Sequence, residues 1–334
     1  MSTLSTLYPT MKDHLAAMDD AGNIAPVVDI LAQQNEILDD MVWGEANSTL
    51  GHKTNSQFAL PTPTWRKMNQ GIAPSFGKVV SVIETCGTLA DYFQVDKQVA
   101  ELNGNTAAFM LLQSSLKLEG INQEFSSSLF YANESTNPEE FTGFAPRYAD
   151  QSLENGCNII TDAATPDNND NTSVWLIGWA LGKVQGIFPK GSKMGLTRDY
   201  KGILTVPVTN PDGTTGLMEA HVEYFQWQCG LSVADWRYVV RINFDLEDCV
   251  ASGTTGPVLA RLMAKAMRRI PNLNACRPAF YANRDTLEMF DQQAMEKANM
   301  GFTTIEDAQG KMLTRFRGIP IRRCDSILST EAGI

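Results

Sequence analysis

The stretch DKQVAELNGNTAAFMLLQSSLKLEGINQEFSSSLF, residues 96–130, predicts a helix far longer than usual. At 1.5 Å per residue it would be about 50 Å long. Asp96 is a suitable N-cap, and no proline follows before Pro138. The apolar face needs an elongated body or neighbouring chains to cover it, and its members recur at helical spacing: Val99, Leu102, Phe109, Leu112, Leu116, Ile121, Phe125 and Leu129.

The polar insert Asn103-Gly104-Asn105 interrupts this apolar face. It predicts either a kink in the helix or a helix that starts only at Thr106. No heptad repeat is sustained along the stretch, which argues against a free coiled coil.

The composition indicates a folded chain that does not bind nucleic acid through its overall charge. The 334 residues, 43% apolar and 19% charged, allow two or three compact regions with real cores. The net charge is −11, whereas binding to phosphates needs clusters of Lys and Arg. The largest basic groups are short: Arg268-Arg269 and Arg315, Arg317, Arg322 and Arg323.

The first 43 residues predict an extended arm followed by a short helix over Pro26–Val42. The N-terminal residues have no basic region before an apolar core, so we expect no signal peptide. No apolar run approaches the roughly 20 residues that a membrane span needs, so we expect no membrane contact.

Helical periodicity disappears over residues 44–88, and turn formers and β-branched residues take its place. Alternation is visible over Lys78–Thr85. We interpret this segment as a long, irregular β-hairpin. Its apolar content is thin, and an isolated two-stranded hairpin is marginal in water. It therefore needs another surface to stabilise it, and another subunit could provide one.

The remainder predicts a mixed α+β fold without a doubly wound parallel sheet. Residues 147–172 are interpreted as a surface loop. The predicted elements that follow are strands at 173–179, 184–188, 203–208, 221–229 and 236–244, a helix at 257–269, a short strand at 278–282, a helix at 286–297 capped by Asn283-Arg284-Asp285, and an edge-type strand from Leu313 to Ile321 that carries Pro320.

No residue pattern indicates catalysis, a cofactor or a metal site. His14, His52 and His221 have no metal-ligand spacing, and the six cysteines form no C-x-x-C pair. We expect free thiols rather than disulfides. The run Asp167–Asn171 lacks the glycine and the glutamate that an EF-hand calcium loop requires, so a solvated loop is the better interpretation.

Short motifs in a fixed order, spanning the chain, carry a resemblance to one family. They are DYFQVDK (91–97), LEGIN (118–122), FYAN (130–133), FTGF (141–144), WLIGW (175–179), GIFPKGS (186–192), WRYVVR (236–241) and FRGIPIR (316–322). In this order the chain resembles the major capsid proteins of tailed bacteriophages, and especially those of short-tailed phages. These proteins have the HK97-like capsid fold.

The resemblance implies a division of the chain into four parts. Residues 1–43 would form the N-terminal arm and short helix, and 44–88 the E-loop that reaches onto a neighbouring subunit. Residues 89–150 and 301–334 would form the P domain, with its spine helix at about 96–130. Residues 151–300 would form the A domain around the capsomer centre. Inter-subunit contacts are expected at Phe58, Trp65, Arg66, Lys67, Phe76, Glu119, Glu124 and Arg147.

The implied function is structural. Copies would assemble into hexamers and pentamers of an icosahedral head that encloses double-stranded DNA, held only non-specifically. The implied partners are a separate scaffolding protein, a portal protein and, in some members, a decoration protein. The implied location is the virion capsid, with assembly in the host cytoplasm. Covalent cross-linking in some members uses an E-loop lysine, but Lys53, Lys67 and Lys78 lie in no matching motif.

Two alternatives remain open at this point. The first is an encapsulin-like compartment, which shares the fold but encloses protein cargo. The second is an enzyme with its active site in the β-rich region 173–245, where Asp199, His221 and Asp235 would be the residues to test.

Overall fold

The computed structural model describes residues 33–101, 104, 106–161, 170–209, 213–246, 249, 258–296, 302–306 and 312–334. Two compact units are present. Unit 1 comprises 1–33, 88–125 and 193–228, and unit 2 comprises 34–87, 126–192 and 229–334, each taken over its described residues. The predicted arm and most of the predicted helix Pro26–Val42 lie outside the described residues. The described end of that helix is helical only over Ile37–Asp40 (α1), so its prediction as far as Val42 was wrong.

The described elements are helices of 4 to 26 residues and strands of 3 to 19 residues. After α1 they are β1 (Trp43–Glu45), β2 (Gly51–Ala59), β3 (Lys78–Asp96), α2 (Lys97–Ala100), α3 (Thr106–Tyr131), α4 (Phe144–Arg147), β4 (Ile159–Thr161), β5 (Asn171–Trp179), β6 (Val184–Phe188), β7 (Thr197–Thr209), β8 (Thr215–Val233), β9 (Val239–Asp245), α5 (Leu259–Arg269), β10 (Arg277–Ala282), α6 (Arg284–Glu296), β11 (Phe302–Glu306), β12 (Met312–Phe316) and β13 (Ile319–Arg323).

Two mixed sheets contain these strands. The first has the order β1–β6–β8–β3–β2, with β7 also paired to β8. The second has seven strands in the order β11–β12–β13–β10–β5–β9–β4. Pairing is parallel at β1–β6, β4–β9 and β10–β13, and antiparallel at the other pairs whose register is known. This arrangement confirms the α+β class.

The break in the long helix lies where the polar insert predicted it. Asp96 caps α2 by accepting a hydrogen bond from the backbone N–H of Gln98 at 2.7 Å. Gly104 has φ +70°, a left-handed conformation that ends helical hydrogen bonding at little cost for glycine. The next helix, α3, begins at Thr106. The second of the two interpretations is therefore confirmed. The spine helix expected at about 96–130 is shorter than expected, because it begins only at Thr106, after the separate short helix α2.

Unit 1 packs the first part of α3 together with the outer parts of β3 and β8. Its buried core contains Phe93, Val95, Ala100, Phe109, Met110, Ile121 and Phe225. The rings of Phe125 and Trp227 lie 4.3 Å apart between centroids. Glu223 on β8 is buried, where it accepts hydrogen bonds from Ser114 of α3 at 2.8 Å and from Arg198 of β7 at 2.6 Å. Helix and sheet are thus joined by both apolar and charged contacts.

The seven-stranded sheet forms the core of unit 2. Every residue of β5 is buried, as its apolar run predicted. The predicted loop 147–172 ends too late, because Ile159–Thr161 pairs with β9 and Asn171–Thr172 already belongs to β5. The predicted strand 236–244 begins too early, because residues 236–238 form a 3₁₀ turn capped by Asp235.

The predicted edge strand Leu313–Ile321 is in fact a two-stranded hairpin. Arg317 and Gly318 both have positive φ, 48° and 87°, which is the signature of a tight turn whose twist matches the strands it joins. β13 lies inside the sheet, between β12 and β10. Pro320 is tolerated there because its only registered partner is Arg315 at the end of the β12 ladder, while β10 pairs from Ile321 onward.

A buried carboxylate, that of Glu331, joins distant parts of unit 2. It accepts a hydrogen bond from the Arg241 guanidinium at 2.8 Å, and also from the hydroxyls of Tyr131 and Ser173. Both members of the ion pair are almost fully buried. Burial, reinforced by the charge of Glu331, raises the pKa of Tyr131 well above its usual value, so its hydroxyl stays a donor.

We predict that Glu331→Ala destabilises unit 2 by about 3 to 5 kcal/mol, because it leaves the buried charge of Arg241 without its partner. Denaturant unfolding of the isolated subunit measures this. The matched control is Glu154→Ala, which removes an exposed carboxylate and should change stability by less than about 0.5 kcal/mol. Equal effects of the two substitutions would contradict the assignment.

Candidate functional site: the β2–β3 hairpin and its base

The predicted hairpin is present and belongs to unit 2 over residues 51–87. β2 and β3 are antiparallel, with Gly51 opposite Thr85 and Gln57 opposite Val79. A bulge follows at Gln57–Ala59, and residues 60–77 form the tip. The tip has little internal structure beyond a turn in which Asn69 has φ 63° and a hydrogen bond from the Ser75 hydroxyl to the Thr62 carbonyl. The segment therefore has no core of its own.

The hairpin exposes apolar side chains to an extent unusual for a folded chain. Every residue from 60 to 83 is exposed. Trp65 and Met68 have relative exposures of 103% and 96%. The other large apolar side chains exposed along this segment are Leu60, Ile72, Phe76, Val79, Val80, Val82 and Ile83. Exposed apolar surface of this extent marks an interaction site.

An ion pair fixes the base of the hairpin. Glu84 on β3 is buried, and Arg147 at the end of α4 donates to its two carboxylate oxygens at 2.7 and 2.5 Å. Arg147 also donates to the backbone carbonyls of Gly143 and Thr142 at 3.2 and 3.0 Å. Such bidentate pairing sets direction as well as distance. The hairpin therefore leaves unit 2 at a defined angle.

Two further contacts reinforce this base. The hydroxyl of Thr85 donates to Glu134 at 3.0 Å. A Cβ at Gly51 would lie 2.2 Å from the carbonyl oxygen of Glu84, so only glycine allows β2 to approach β3 this closely. Together with the ion pair, these contacts leave the hairpin rigid at its base and unsupported beyond it.

The structure separates the predicted contact residues into different environments. Trp65, Arg66, Lys67 and Phe76 lie exposed in the tip. Phe58 lies in β2, and its side chain is outside the described residues. Glu124 is exposed on α3 in unit 1. Arg147 has the intrachain role at the base of the hairpin given above. None of these observations tests contact with a second subunit, so the eight residues remain predictions.

Glu119, also on α3, has partners within unit 1. It accepts hydrogen bonds from the Gln123 amide at 2.8 Å and from the backbone N–H of Gln33 at 3.1 Å. Burial tends to raise the pKa of Glu119, but the hydrogen bonds that it accepts lower it below its ordinary value overall. A negative charge therefore persists at this position of α3 near neutral pH.

The residues of the enzymatic alternative do not form a catalytic group. Asp199 is exposed and paired with Lys201, two positions along β7. His221 is buried, with its Nδ1 2.6 Å from the Tyr200 hydroxyl. Asp235 accepts hydrogen bonds from Arg237, and although burial opposes this, those bonds lower the pKa of Asp235. Each carboxylate is thus occupied by a neighbouring cation.

The cysteines and the carboxylates give no sign of reactive chemistry in the described residues. None of the six cysteines forms a disulfide bond. Burial raises the pKa of Cys86 to about 11 and that of Cys324 to about 12, so both stay protonated and unreactive. No group of three or more His, Cys, Asp or Glu side chains in the described ranges could hold a metal ion.

Comparison with known families identifies the chain. A model of the family described as major capsid protein GP7 matches residues 19–334. The chain belongs to this family. It is therefore a bacteriophage major capsid protein with the HK97-like fold, a structural component of the virion that self-associates, and it is not an enzyme. The resemblance found in the sequence is confirmed, and the enzymatic alternative was wrong.

Solved structures agree with this assignment of the capsid protein. A near-atomic cryo-EM structure of bacteriophage Epsilon15 matches with a TM-score of 0.78 and 30% identity, covering 100% of this chain and 99% of that chain. The SrpI encapsulin of Synechococcus elongatus has a TM-score of 0.45 and 11% identity, covering 67% and 91%. A chain of Mycobacterium phage Bobi has a TM-score of 0.42 and 9% identity, covering 71% and 98%. The last two are too distant to support an argument. Curated proteins give no significant match.

Among the described helices of the capsid protein, none combines the length and the apolar character that crossing a membrane requires.

No sequence pattern had singled out Glu84 and Glu134, which lie at the base of the hairpin. A signal for the first was present, because Glu84 is the only acidic residue in the apolar run Lys78–Cys86. A lone acid in a strand needs a cation or a donor if it is buried.

We predict that Arg147→Ala loosens the base of the hairpin in the isolated capsid subunit. Stability should fall by about 2 to 3 kcal/mol, somewhat less than the roughly 3 to 5 kcal/mol for a fully buried pair, because Arg147 is partly exposed. Amide hydrogen exchange should increase at 51–55 and 81–86. Lys53→Ala, an exposed cation on β2, is the control. Unchanged exchange at the base would refute a clamping role for Arg147.

Proposed function

We propose that this capsid protein forms the hexamers and pentamers of an icosahedral phage head that encloses double-stranded DNA, and that the β2–β3 hairpin is its main contact with a neighbouring subunit. The observation that carries the proposal is the exposure of every side chain from 60 to 83. The occupant of this apolar surface is a second copy of the chain, because self-association is the role of the family.

Energetics favour burial of the tip between copies. Burying one large apolar side chain gains about 1.5 to 3 kcal/mol. Trp65, Met68, Ile72 and Phe76 are all exposed in the single chain, and the base contacts already hold the hairpin extended. A hairpin whose base is already fixed loses less conformational entropy on association than a segment without an anchor. Because the same contact recurs at every subunit of the shell, a modest free energy per contact adds up to a stable particle.

The predicted contact residues supply complementary charges for this interface. Arg66 and Lys67 place two exposed cations next to Trp65 in the tip, and Glu119 and Glu124 place two carboxylates on α3. We propose that tip cations of one subunit meet α3 carboxylates of another, with Phe58, Trp65 and Phe76 in the apolar centre. Arg147 would lie at the edge of this interface and would keep its ion pair with Glu84 in its own subunit.

The same reasoning extends to the other components of the head. We propose that a separate scaffolding protein directs assembly in the host cytoplasm, that a portal protein occupies one vertex, and that a decoration protein is an optional addition. The net charge of −11 supports only non-specific contact with packaged DNA, because an acidic surface repels phosphate.

We expect Trp65→Asp to lower the yield of particles at least about tenfold, since a charge in the apolar centre of an interface is strongly unfavourable. Sedimentation and negative-stain microscopy of the purified protein measure the yield. Trp65→Phe should retain assembly, and Leu153→Asp, at an exposed apolar site outside the hairpin, is the matched control.

Normal shells from Trp65→Asp would rule out the tip as the main contact. The contents of the particles decide the encapsulin-like alternative, because a compartment holds protein cargo where a phage head holds DNA.

A further inference from the structure

Helix α5 of unit 2 concentrates positive charge on a chain whose net charge is −11. It buries one face through Leu259, Leu262, Met263 and Ala266. Its other face, here called the basic face, consists of exposed side chains spaced by three and four residues: Arg261, Lys265, Arg268 and Arg269. Only Arg268 and Arg269 stand out in the sequence, because they are adjacent.

The helix dipole accounts for the positions of two of the four cations on this face. Arg268 and Arg269 lie in the last turn, where a cation is favoured by the helix dipole. Arg261 lies in the first turn, where the same dipole disfavours a cation. No salt bridge within the described part of the chain involves any of the four residues. Arg261 and Lys265 are therefore exposed cations that the helix dipole does not account for and that no described carboxylate pairs with.

The neighbouring helix α6 presents the opposite charge. It packs against α5, where the buried amide of Gln293 accepts a hydrogen bond from the backbone N–H of Leu259 at 3.1 Å. Its exposed carboxylates, here called the acidic face, are Asp285, Glu288 and Asp291. Arg284 lies only loosely beside Asp285, at 3.9 Å. One unit thus displays a positive and a negative surface on adjacent helices.

We propose that the basic face of α5 in one subunit binds the acidic face of α6 in the next subunit, head to tail around a capsomer. A contact in which the basic face of each copy meets the acidic face of the next, without the reciprocal contact, is heterologous, and such contacts close into rings when the rotation allows. The inference rests on the proposed function, since it assigns a surface to the contact between copies within one ring.

A second copy fits these observations better than a nucleic acid does. The four cations of this face are fewer than the roughly six to ten phosphate contacts of a strongly salt-dependent DNA-binding protein. The acidic remainder of the chain also opposes a polyanion, whereas a second copy brings the matching acidic face with it. Attraction between opposite patches additionally speeds encounter and selects the register of the subunits.

Charge reversal in the full-length protein tests the proposal. We expect Arg261→Glu with Lys265→Glu and Arg268→Glu to lower particle yield by more than about tenfold, because like charges would then face each other. Asp285→Lys with Glu288→Lys and Asp291→Lys should do the same. The combination of both sets should restore the yield to within about threefold of the natural protein, since the attraction is then re-formed with its sign exchanged.

Cross-linking gives a measurement that does not depend on the folding of variants. Shells are assembled from a mixture of isotopically light and heavy natural subunits and treated with a carbodiimide, which joins an amine to a carboxylate in contact. Mass spectrometry should find Lys265 joined to a carboxylate of α6 in a light–heavy pair. Absence of this pair from intact shells would overturn the proposal.

Other results are equally decisive. Normal assembly of the α5 variant, or failure of the combined variant when its cooperative unfolding is intact, would refute the pairing. Normal assembly of the α5 variant with reduced retention of DNA fragments would assign the basic face to nucleic acid instead. If the natural protein forms no particles either alone or with its scaffolding protein, the proposed function itself fails, which is distinct from a failure confined to these variants.

Discussion

The pairing of Glu84 with Arg147 is the interaction on which the functional part of this molecule depends. Beyond it, every residue from 60 to 83 is exposed in the single subunit, so the direction of the whole segment is set at its base. An apolar projection on a loose base would sample many orientations and collapse or aggregate. Fixed by two charge-assisted hydrogen bonds, it presents the same surface in every copy, which a repeating shell requires.

Local signals allowed much of the fold to be predicted. The cap at Asp96, the break at Gly104, the strand indicated by alternation over Lys78–Thr85 and the cap at Asn283 each depend on neighbours a few residues away, and each is present. Long-range pairings could not be predicted. Glu84 pairs with Arg147, which lies 63 residues away in the sequence, and no local pattern indicates which cation will pair with a lone acidic residue. The hairpin at Arg317-Gly318 was missed because its tight turn was interpreted as continuous strand.

Apolar surface and net charge have opposite effects on association of this chain. The apolar tip favours association with any apolar surface, and in a monomeric protein it would cause aggregation. The acidic balance limits that tendency by keeping subunits apart until specific contacts form. Candidate contact residues could be named from family resemblance, but their exposure and partners required coordinates. Trp65 and Arg147 show this, since one lies free in the tip and the other is engaged within its own subunit.

The anchoring of Asn35 beside Cys324 and Ser326 has a consequence for synthesis. The Asn35 side chain receives hydrogen bonds from residues as far as 291 positions away, and the backbone of Glu36 donates to Arg323. At about 5 to 20 residues per second, a ribosome needs roughly 15 to 60 seconds to cover that distance. The seven-stranded sheet cannot be completed on a partial chain. A nascent subunit is thus withheld from the growing shell until its translation is nearly finished.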